Sequence, residues 1–254
     1  MSDFITVLKF RNEPLYYFGL VCLISSVIFF LLSRISSVQV AGTNAWYKPL
    51  KFALSIGSFC WAMGWYTWYL KLPGQVSVYS WVTILLLAFE LIYIALQAGR
   101  GELSHYNRSS PLYAALYSGM ALAATFVTLH TGYIGLLFCT TDIPELPGHY
   151  LWAIRIGIFL FVVFAMEGAV MGGRMSHTIG GPDGGRGLPF LNWSRKFGDP
   201  RIAHFIGMHA LQILPLIAFY VLKNVRWTQF FGVLYGCLAL AVLVQALNGK
   251  PLFK

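Results

Sequence analysis

Apolar residues occur along this chain in runs that are long enough to cross a lipid bilayer, and short polar or glycine-rich segments separate them. A membrane-spanning helix needs about 20 mostly apolar residues. Because the connections are short, the pattern predicts one all-α membrane domain, residues 1–254, formed by a single bundle of about seven transmembrane helices. The predicted spans are 16–38, 49–70, 76–98, 112–138, 150–172, 203–222 and 228–248.

Basic residues are distributed unevenly over the connections between these spans. The segments after the first, third, fifth and seventh spans hold twelve lysines and arginines, whereas the remaining segments hold six. Cytoplasmic loops carry the excess of lysine and arginine, so the N-terminus is expected outside and the C-terminus inside a cell inner membrane.

The composition agrees with a multi-pass membrane protein, since 57% of the residues are hydrophobic and 11% are charged. The net charge of +9 then reflects topology and contact with anionic lipids. The lipid bilayer is the expected partner. Nucleic acid is not, because the basic residues are scattered among loops that flank the membrane.

A glycine-rich loop, residues 173–202, is the longest connection and lies on the predicted cytoplasmic side. Its Pro182-Asp183-Gly184 sequence is typical of a turn, because proline presets φ and glycine accepts positive φ. Leu188, Phe190 and Trp193 make the loop too apolar for a disordered linker. Two interpretations follow: a lid that folds over the cytoplasmic mouth of the bundle, or an interfacial loop anchored by Trp193.

Two glutamates lie inside apolar spans, and each is followed by an arginine and then a Ser-His pair. Glu90 precedes Arg100 and Ser104-His105, and Glu167 precedes Arg174 and Ser176-His177. A carboxylate inside a membrane is costly and is therefore a functional hypothesis by default.

Helical rise places three chemically active side chains in one layer of the membrane. Counting from the predicted cytoplasmic boundary, Glu90 lies ~12 Å deep, Glu167 ~8 Å and His209 ~10 Å. We expect these three to converge on one site as catalytic groups or metal ligands. The polar residues that share their helical faces or lie at the mouth are candidates for binding a cofactor or substrate. These are Gln97, Arg100, Arg174, His177 and Gln212.

Carboxylate and imidazole are suitable ligands for zinc, iron or manganese, so a divalent metal is a candidate cofactor. No His-x-x-x-His pair occurs in the sequence and no Glu-x-x-His pair lies within the predicted spans, which leaves the metal hypothesis without a specific motif. Haem is a weaker hypothesis, because His130 and His209 differ in depth by ~8 Å.

Small-xxx-small patterns at Gly168–Gly172 and Gly232–Gly236 indicate close helix packing, and a homodimer interface is the alternative.

Three functions remain open from the sequence. The first is a membrane-embedded, metal-dependent or redox enzyme, in which Glu90, Glu167 and His209 act and the arginines hold an anionic small-molecule or lipid substrate. The second is a proton-coupled small-solute transporter, in which the same acids and histidine titrate. The third is a non-catalytic assembly or sensor protein. Against all three stands a structural interpretation, in which the glutamates pair with Arg100 and Arg174 and hold helices together.

Overall fold

The computed structural model describes residues 2–184 and 187–253, and most of these residues are helical. Arg186 and Lys254, two of the twelve basic residues assigned to the cytoplasmic side, lie outside the described residues, as does Gly185 of the glycine-rich loop. A two-residue antiparallel pair, β1 (Gln39–Val40) and β2 (Thr43–Asn44), interrupts the helices. The helices are α1 (Ser2–Arg11), α2 (Glu13–Ile35), α3 (Tyr47–Thr67), α4 (Pro73–Arg100), α5 (Pro111–Thr140), α6 (Gly148–Met166), α7 (Gly168–Arg174), α8 (Arg201–Ile217) and α9 (Val225–Leu247).

Within the described part of the chain, six helical segments are long and apolar enough to cross a membrane. The expectation of an all-α, multi-pass membrane fold is met at this level. The six are α2, α4, α5, α6 together with α7, α8 with the π-helical turn Ala218–Leu222 that extends it, and α9. The remaining predicted span, 49–70, is the helix α3 followed by a 3₁₀ turn at Trp68–Leu70.

Two features of the helices differ from the sequence-based expectation. A short helix, α1, precedes the first span, where the sequence contains too few apolar residues to indicate a membrane segment. The fifth predicted span, 150–172, lies in one membrane-length helical segment, in which Glu167 alone departs from regular α-helical hydrogen bonding and separates α6 from α7.

The chain divides into two compact units, residues 1–127 and 128–254. In the first unit, α2 packs closely along α3, and α3 also packs on α4. Gly19 and Gly57 permit this approach, because a Cβ atom at Gly57 would lie 3.0 Å from Leu23 and 3.2 Å from the carbonyl oxygen of Gly19. Half of α3 is therefore covered by protein.

Asn12 fixes one end of the first unit. Its Oδ1 accepts a hydrogen bond from the backbone N–H of Leu15 at 3.1 Å and caps α2. Its Nδ2 donates to Ser80 Oγ of α4 at 2.8 Å. At the opposite end, Trp46 approaches Gly99, 3.7 Å from where a Cβ atom would lie. These contacts fix α2, α3 and α4 in alternating directions.

In the second unit, α6 packs on α8 and α9. A Cβ atom at Gly232 would lie 2.9 Å from Ile156, and one at Gly236 would lie 3.1 Å from Leu160. The Gly232–Gly236 pattern thus serves close packing of α9 on α6 inside this chain.

The loop between α7 and α8 is built around two aspartates. Asp199 is 1% exposed, and its carboxylate accepts hydrogen bonds from Arg201 Nη2 at 2.6 Å and from the backbone N–H of Ser194 at 2.8 Å. A β-bridge between Ile179 and Gly198 brings the start and the end of the loop together.

Asp183 holds the first part of the same loop. The backbone N–H of His177 and the hydroxyls of Ser176 and Thr178 donate to its carboxylate at 2.8, 2.9 and 2.7 Å. His177 Nδ1 also lies 3.0 Å from Asp183 Oδ2. Burial opposes the charged form of Asp183, yet the hydrogen bonds from His177 and Thr178 outweigh it and hold the pKa of this carboxyl well below its ordinary value. The role of the loop as a lid stays a prediction.

Candidate functional site at a helix break

Two glycines bring α6 and α8 close together in the second unit. A Cβ atom at Gly157 of α6 would lie 3.0 Å from the carbonyl oxygen of Ala210, and one at Gly207 of α8 would overlap the ring of Phe164. This packing places the first turns of α8 beside the last turn of α6.

The backbone hydrogen-bond pattern changes at Glu167, at the end of α6 that lies beside α8. The N–H of Glu167 still donates to Val163 O at 3.3 Å, but its carbonyl accepts from Val170 N, three residues ahead, at 2.8 Å. This tighter bond ends α6 at Met166 and starts α7 at Gly168. Glu167 is therefore the residue at the break, and it is 6% exposed.

His204 of α8 faces this break. Its Nδ1 lies 2.6 Å from Phe164 O and 3.5 Å from Glu167 Oε2. A carbonyl oxygen can only accept, so Nδ1 carries a proton and donates it to Phe164 O. In the neutral ring this leaves Nε2 as the acceptor, so the imidazole is oriented to take up a second proton.

The side chains of Glu167 and His204 are buried to different extents. The side chain of Glu167 is 3% exposed and that of His204 is 30% exposed. Both carboxylate oxygens of Glu167 are buried, and neither has a hydrogen-bond partner among the described residues. Burying a carboxyl without a hydrogen-bond partner is costly, and His204 is the ion-pair partner that the described residues offer to Glu167.

His209, the histidine selected from depth, has other neighbours. Its Nδ1 lies 3.3 Å from Gln212 Oε1, and its ring packs against Phe205 with a centroid distance of 4.4 Å. The sequence pattern favoured His209 and did not predict the contact of His204 with Glu167. The imidazole that contacts Glu167 in the described part of the chain is that of His204.

The stripe of polar residues expected to continue from Glu167 through Arg174 to His177 is wrong at its end. Helix α7 ends at Arg174, which is exposed, and Met175 turns the backbone into the left-handed region with φ 52°. His177 consequently leaves the helical face and binds Asp183.

In the first unit, Glu90 lies in the unbroken helix α4 and is 6% exposed. Gln97, on the same face, is fully buried and donates from Nε2 to Leu103 O at 3.0 Å. Arg100, the last residue of α4, is exposed.

The salt bridges of the described residues include neither Glu90 with Arg100 nor Glu167 with Arg174. The structural interpretation, in which these arginines neutralise the glutamates, is therefore not supported.

Metal ligation requires several donors around one point. Among residues 2–184 and 187–253, no group of three or more His, Cys, Asp and Glu side chains is arranged to hold a metal ion. Glu90 belongs to the first unit, and Glu167 and His209 belong to the second. Their convergence, a divalent metal and haem all stay predictions.

Comparison with known proteins identified no relative of this chain. No family model matches the chain, and it has no significant match among curated proteins or solved structures.

Proposed function

We propose that this chain is a proton-coupled small-solute transporter of a cell membrane, in which Glu167 and His204 bind and release the coupled proton. The observation that carries the proposal is the position of a buried, hydrogen-bond-deficient carboxylate at a helix break, 3.5 Å from an imidazole. Ionisable residues inside membrane helices mark proton relays.

The difference in exposure between the two side chains supports a division of roles within the site. His204 is the more exposed partner, so it exchanges protons with the solution and passes them to Glu167. Arg174, exposed at the end of α7, would attract a small anionic solute to the same end of the second unit. The enzyme and sensor hypotheses stay open predictions, and no contact among the described residues favours either over transport.

The proton-coupled role is tested with the purified protein in liposomes that contain a pH-sensitive dye. Small carboxylates, phosphate and sulfate are added outside in turn, and the internal pH is followed. We expect one solute class to drive acidification, Glu167→Gln to reduce it by at least tenfold, and His204→Gln to reduce it strongly.

Two matched variants control this experiment. Glu102→Gln removes an exposed carboxylate just beyond α4, and His209→Gln removes the imidazole that does not contact Glu167. Both should retain most of the wild-type rate. The proposal is overturned if no solute moves protons, or if Glu167→Gln is as active as Glu102→Gln.

We further propose that α3 is the seventh transmembrane helix, so that the two termini lie on opposite sides, and that the excess of basic residues puts the N-terminus outside and the C-terminus in the cytoplasm. The antiparallel order of α2, α3 and α4 supports this, because Asn12 meets Ser80 at one end and Trp46 meets Gly99 at the other. The lower hydropathy of α3 follows from its burial between α2 and α4, since a helix covered by protein needs fewer lipid-facing apolar residues.

Cysteine labelling in intact cells tests this topology, in a variant whose four native cysteines are replaced by alanine. Ser37→Cys and Gln75→Cys are exposed positions on either side of α3, and they should label from opposite sides of the membrane. Glu145→Cys should label from outside, whereas Lys196→Cys should require permeabilisation. Labelling of positions 37 and 75 from one side would leave six spans.

A further inference from the structure

One face of α4, in the first unit, carries polar residues that the transport proposal does not use. Thr83, Glu90 and Gln97 follow one another at intervals of seven residues. Seven residues make almost two full turns of an α-helix, so the three lie on one face. All three are buried, and Thr83 Oγ1, Glu90 Oε1 and Gln97 Oε1 have no hydrogen-bond partner among the described residues.

The residues between Thr83 and Glu90 on this face differ in polarity from those between Glu90 and Gln97. Between Glu90 and Gln97 lies Tyr93, whose hydroxyl is also buried without a hydrogen-bond partner in the described part of the chain. Between Thr83 and Glu90 lies Leu87, which is buried and apolar. Positions seven residues apart are separated by ~10.5 Å along the helix, which exceeds the length of one hydrogen bond. A proton therefore needs an intermediate polar group to pass, and among the residues of α4 itself such a group lies in the interval after Glu90 and not in the interval before it.

Gln97 is connected to the surface by hydrogen bonds of the loop that follows α4. Its Nε2 and the Nδ2 of Asn107 both donate to Leu103 O at 3.0 Å. Asn107 Oδ1 in turn accepts from the hydroxyl of Ser109, an exposed residue, at 2.7 Å. Polar groups thus continue from solvent to Gln97.

A cavity of about 360 Å³ lies beside this end of α4, and its walls include Tyr93, Gln97 and Arg100. Its remaining walls are apolar, with Ile92 and Leu96 on the exposed side of the helix. The Tyr93 hydroxyl and Gln97 Oε1 are buried beside this space and do not open into it, so a proton that moves between Glu90 and the Gln97 end passes along these side chains.

We propose that Glu90 is a second proton-binding residue, and that it exchanges its proton with solvent only through the Tyr93–Gln97 side of α4. The Glu90 carboxylate takes a proton from water at the Gln97 end and returns it there, and no other group is oxidised or reduced. Leu87 closes the opposite side. This inference goes beyond the proton coupling assigned to Glu167 and does not depend on it.

The proposal is tested by infrared spectroscopy of the membrane-reconstituted protein after transfer to D₂O. A Glu167→Gln background removes the carboxyl signal of the second unit. The carbonyl band that disappears on further substitution Glu90→Gln belongs to the protonated Glu90, and its isotope shift reports the rate of proton exchange.

We expect Tyr93→Phe and Gln97→Leu each to slow this exchange at least tenfold. Thr83→Val, a substitution of matched shape on the far side of Leu87, should leave the rate unchanged. Tyr93→Phe keeps the ring, so a readable result remains if Gln97→Leu does not fold. The inference is overturned if Glu90→Gln removes no band, if Tyr93→Phe exchanges at the parent rate, or if Thr83→Val slows exchange as much as Tyr93→Phe does.

Discussion

Helices α4 and α7 end in the same type of helix cap. Each helix ends at an arginine, Arg100 or Arg174, and the next residue takes a left-handed conformation, with φ 71° at Gly101 and 52° at Met175. The backbone N–H of the residue after that donates a hydrogen bond to a carbonyl oxygen five residues earlier. The Glu102 N–H donates to Gln97 O at 2.9 Å, and the Ser176 N–H donates to Met171 O at 3.3 Å. This is the hydrogen-bond pattern of a Schellman cap.

The two ends differ in the helix that precedes the cap. In the first unit, α4 is continuous past Glu90, whereas in the second unit the helix breaks at Glu167 and His204 packs against the break. The same short pattern of glutamate, arginine and Ser-His therefore produces two environments. Whether a buried carboxylate acquires an imidazole neighbour depends on the helix packed against it.

The Ser-His pairs also differ in their neighbours. Ser104 is buried, and His105 packs against Phe52 with a centroid distance of 5.8 Å. Ser176 and His177 instead hold the carboxylate of Asp183. The pair packs against a helix in the first unit and organises a long loop in the second.

The largest effect is expected from a methyl group added between α6 and α8. Gly207→Ala places a Cβ atom against the Phe164 ring. Overpacking of this kind costs about 1–3 kcal/mol, and here it also moves His204 away from Glu167. Thermal unfolding in detergent should show the loss of stability. Gly173→Ala is the control, because nothing lies within 4 Å of its added Cβ atom. Equal unfolding temperatures for the two variants would contradict the close packing of these helices.

A smaller effect is expected from Asp183→Ala, which removes the carboxylate that orders the second Ser-His pair. Hydrogen bonds to a charged group stabilise by about 1.5–3 kcal/mol, and partial exposure of Asp183 reduces this to about 1 kcal/mol. Limited proteolysis should cut the loop faster in this variant than in Asp142→Ala, which alters an exposed loop aspartate.

The effect of Asp183 depends on pH with a definite sign. Its pKa is lower in the folded protein than in the unfolded chain, because the hydrogen bonds from His177 and Thr178 outweigh burial. Its contribution is therefore complete above the unfolded carboxyl pKa of about 4 and is lost as the pH falls toward the folded value. The difference in unfolding temperature between wild type and Asp183→Ala should shrink below pH 4. A difference that grows on acidification would show that the carboxylate is not held in its charged form.

Effects no larger than about 1 kcal/mol, but of opposite sign, are expected at the two caps. A left-handed conformation costs a non-glycine residue about 1 kcal/mol, so Gly101→Ala should destabilise the first unit by that amount. Its new Cβ atom would also lie 3.3 Å from Val38. Met175→Gly should relieve the same cost and raise the unfolding temperature. Shifts of the same sign in the two variants would mean that the caps are not equivalent.

The sequence was sufficient to locate the long apolar helices, though not the short helix α1, because a bilayer requires long apolar runs whatever their packing. It also identified Glu90 and Glu167 as buried, since a carboxylate within such a run has nowhere else to lie. The break at Glu167 and the contact with His204 were missed, because both depend on how closely Gly157 and Gly207 allow two distant segments to approach. The binding of His177 to Asp183 was missed because the helical face was extended beyond Arg174, past the left-handed turn at Met175.

The surface on which the glycine-rich loop packs has a consequence for folding during synthesis. A Cβ atom at Gly180 would lie 3.3 Å from Gly249, and Gly198 lies against the backbone of Ala246, so the loop rests on the far end of α9. A ribosome that adds 5–20 residues per second needs about 3–10 s to pass from Gly198 to Gly249. During that interval the loop has left the ribosome before the surface that receives it exists. We therefore expect a nascent chain arrested shortly before Ala246 to show a protease-sensitive loop that becomes resistant once elongation resumes.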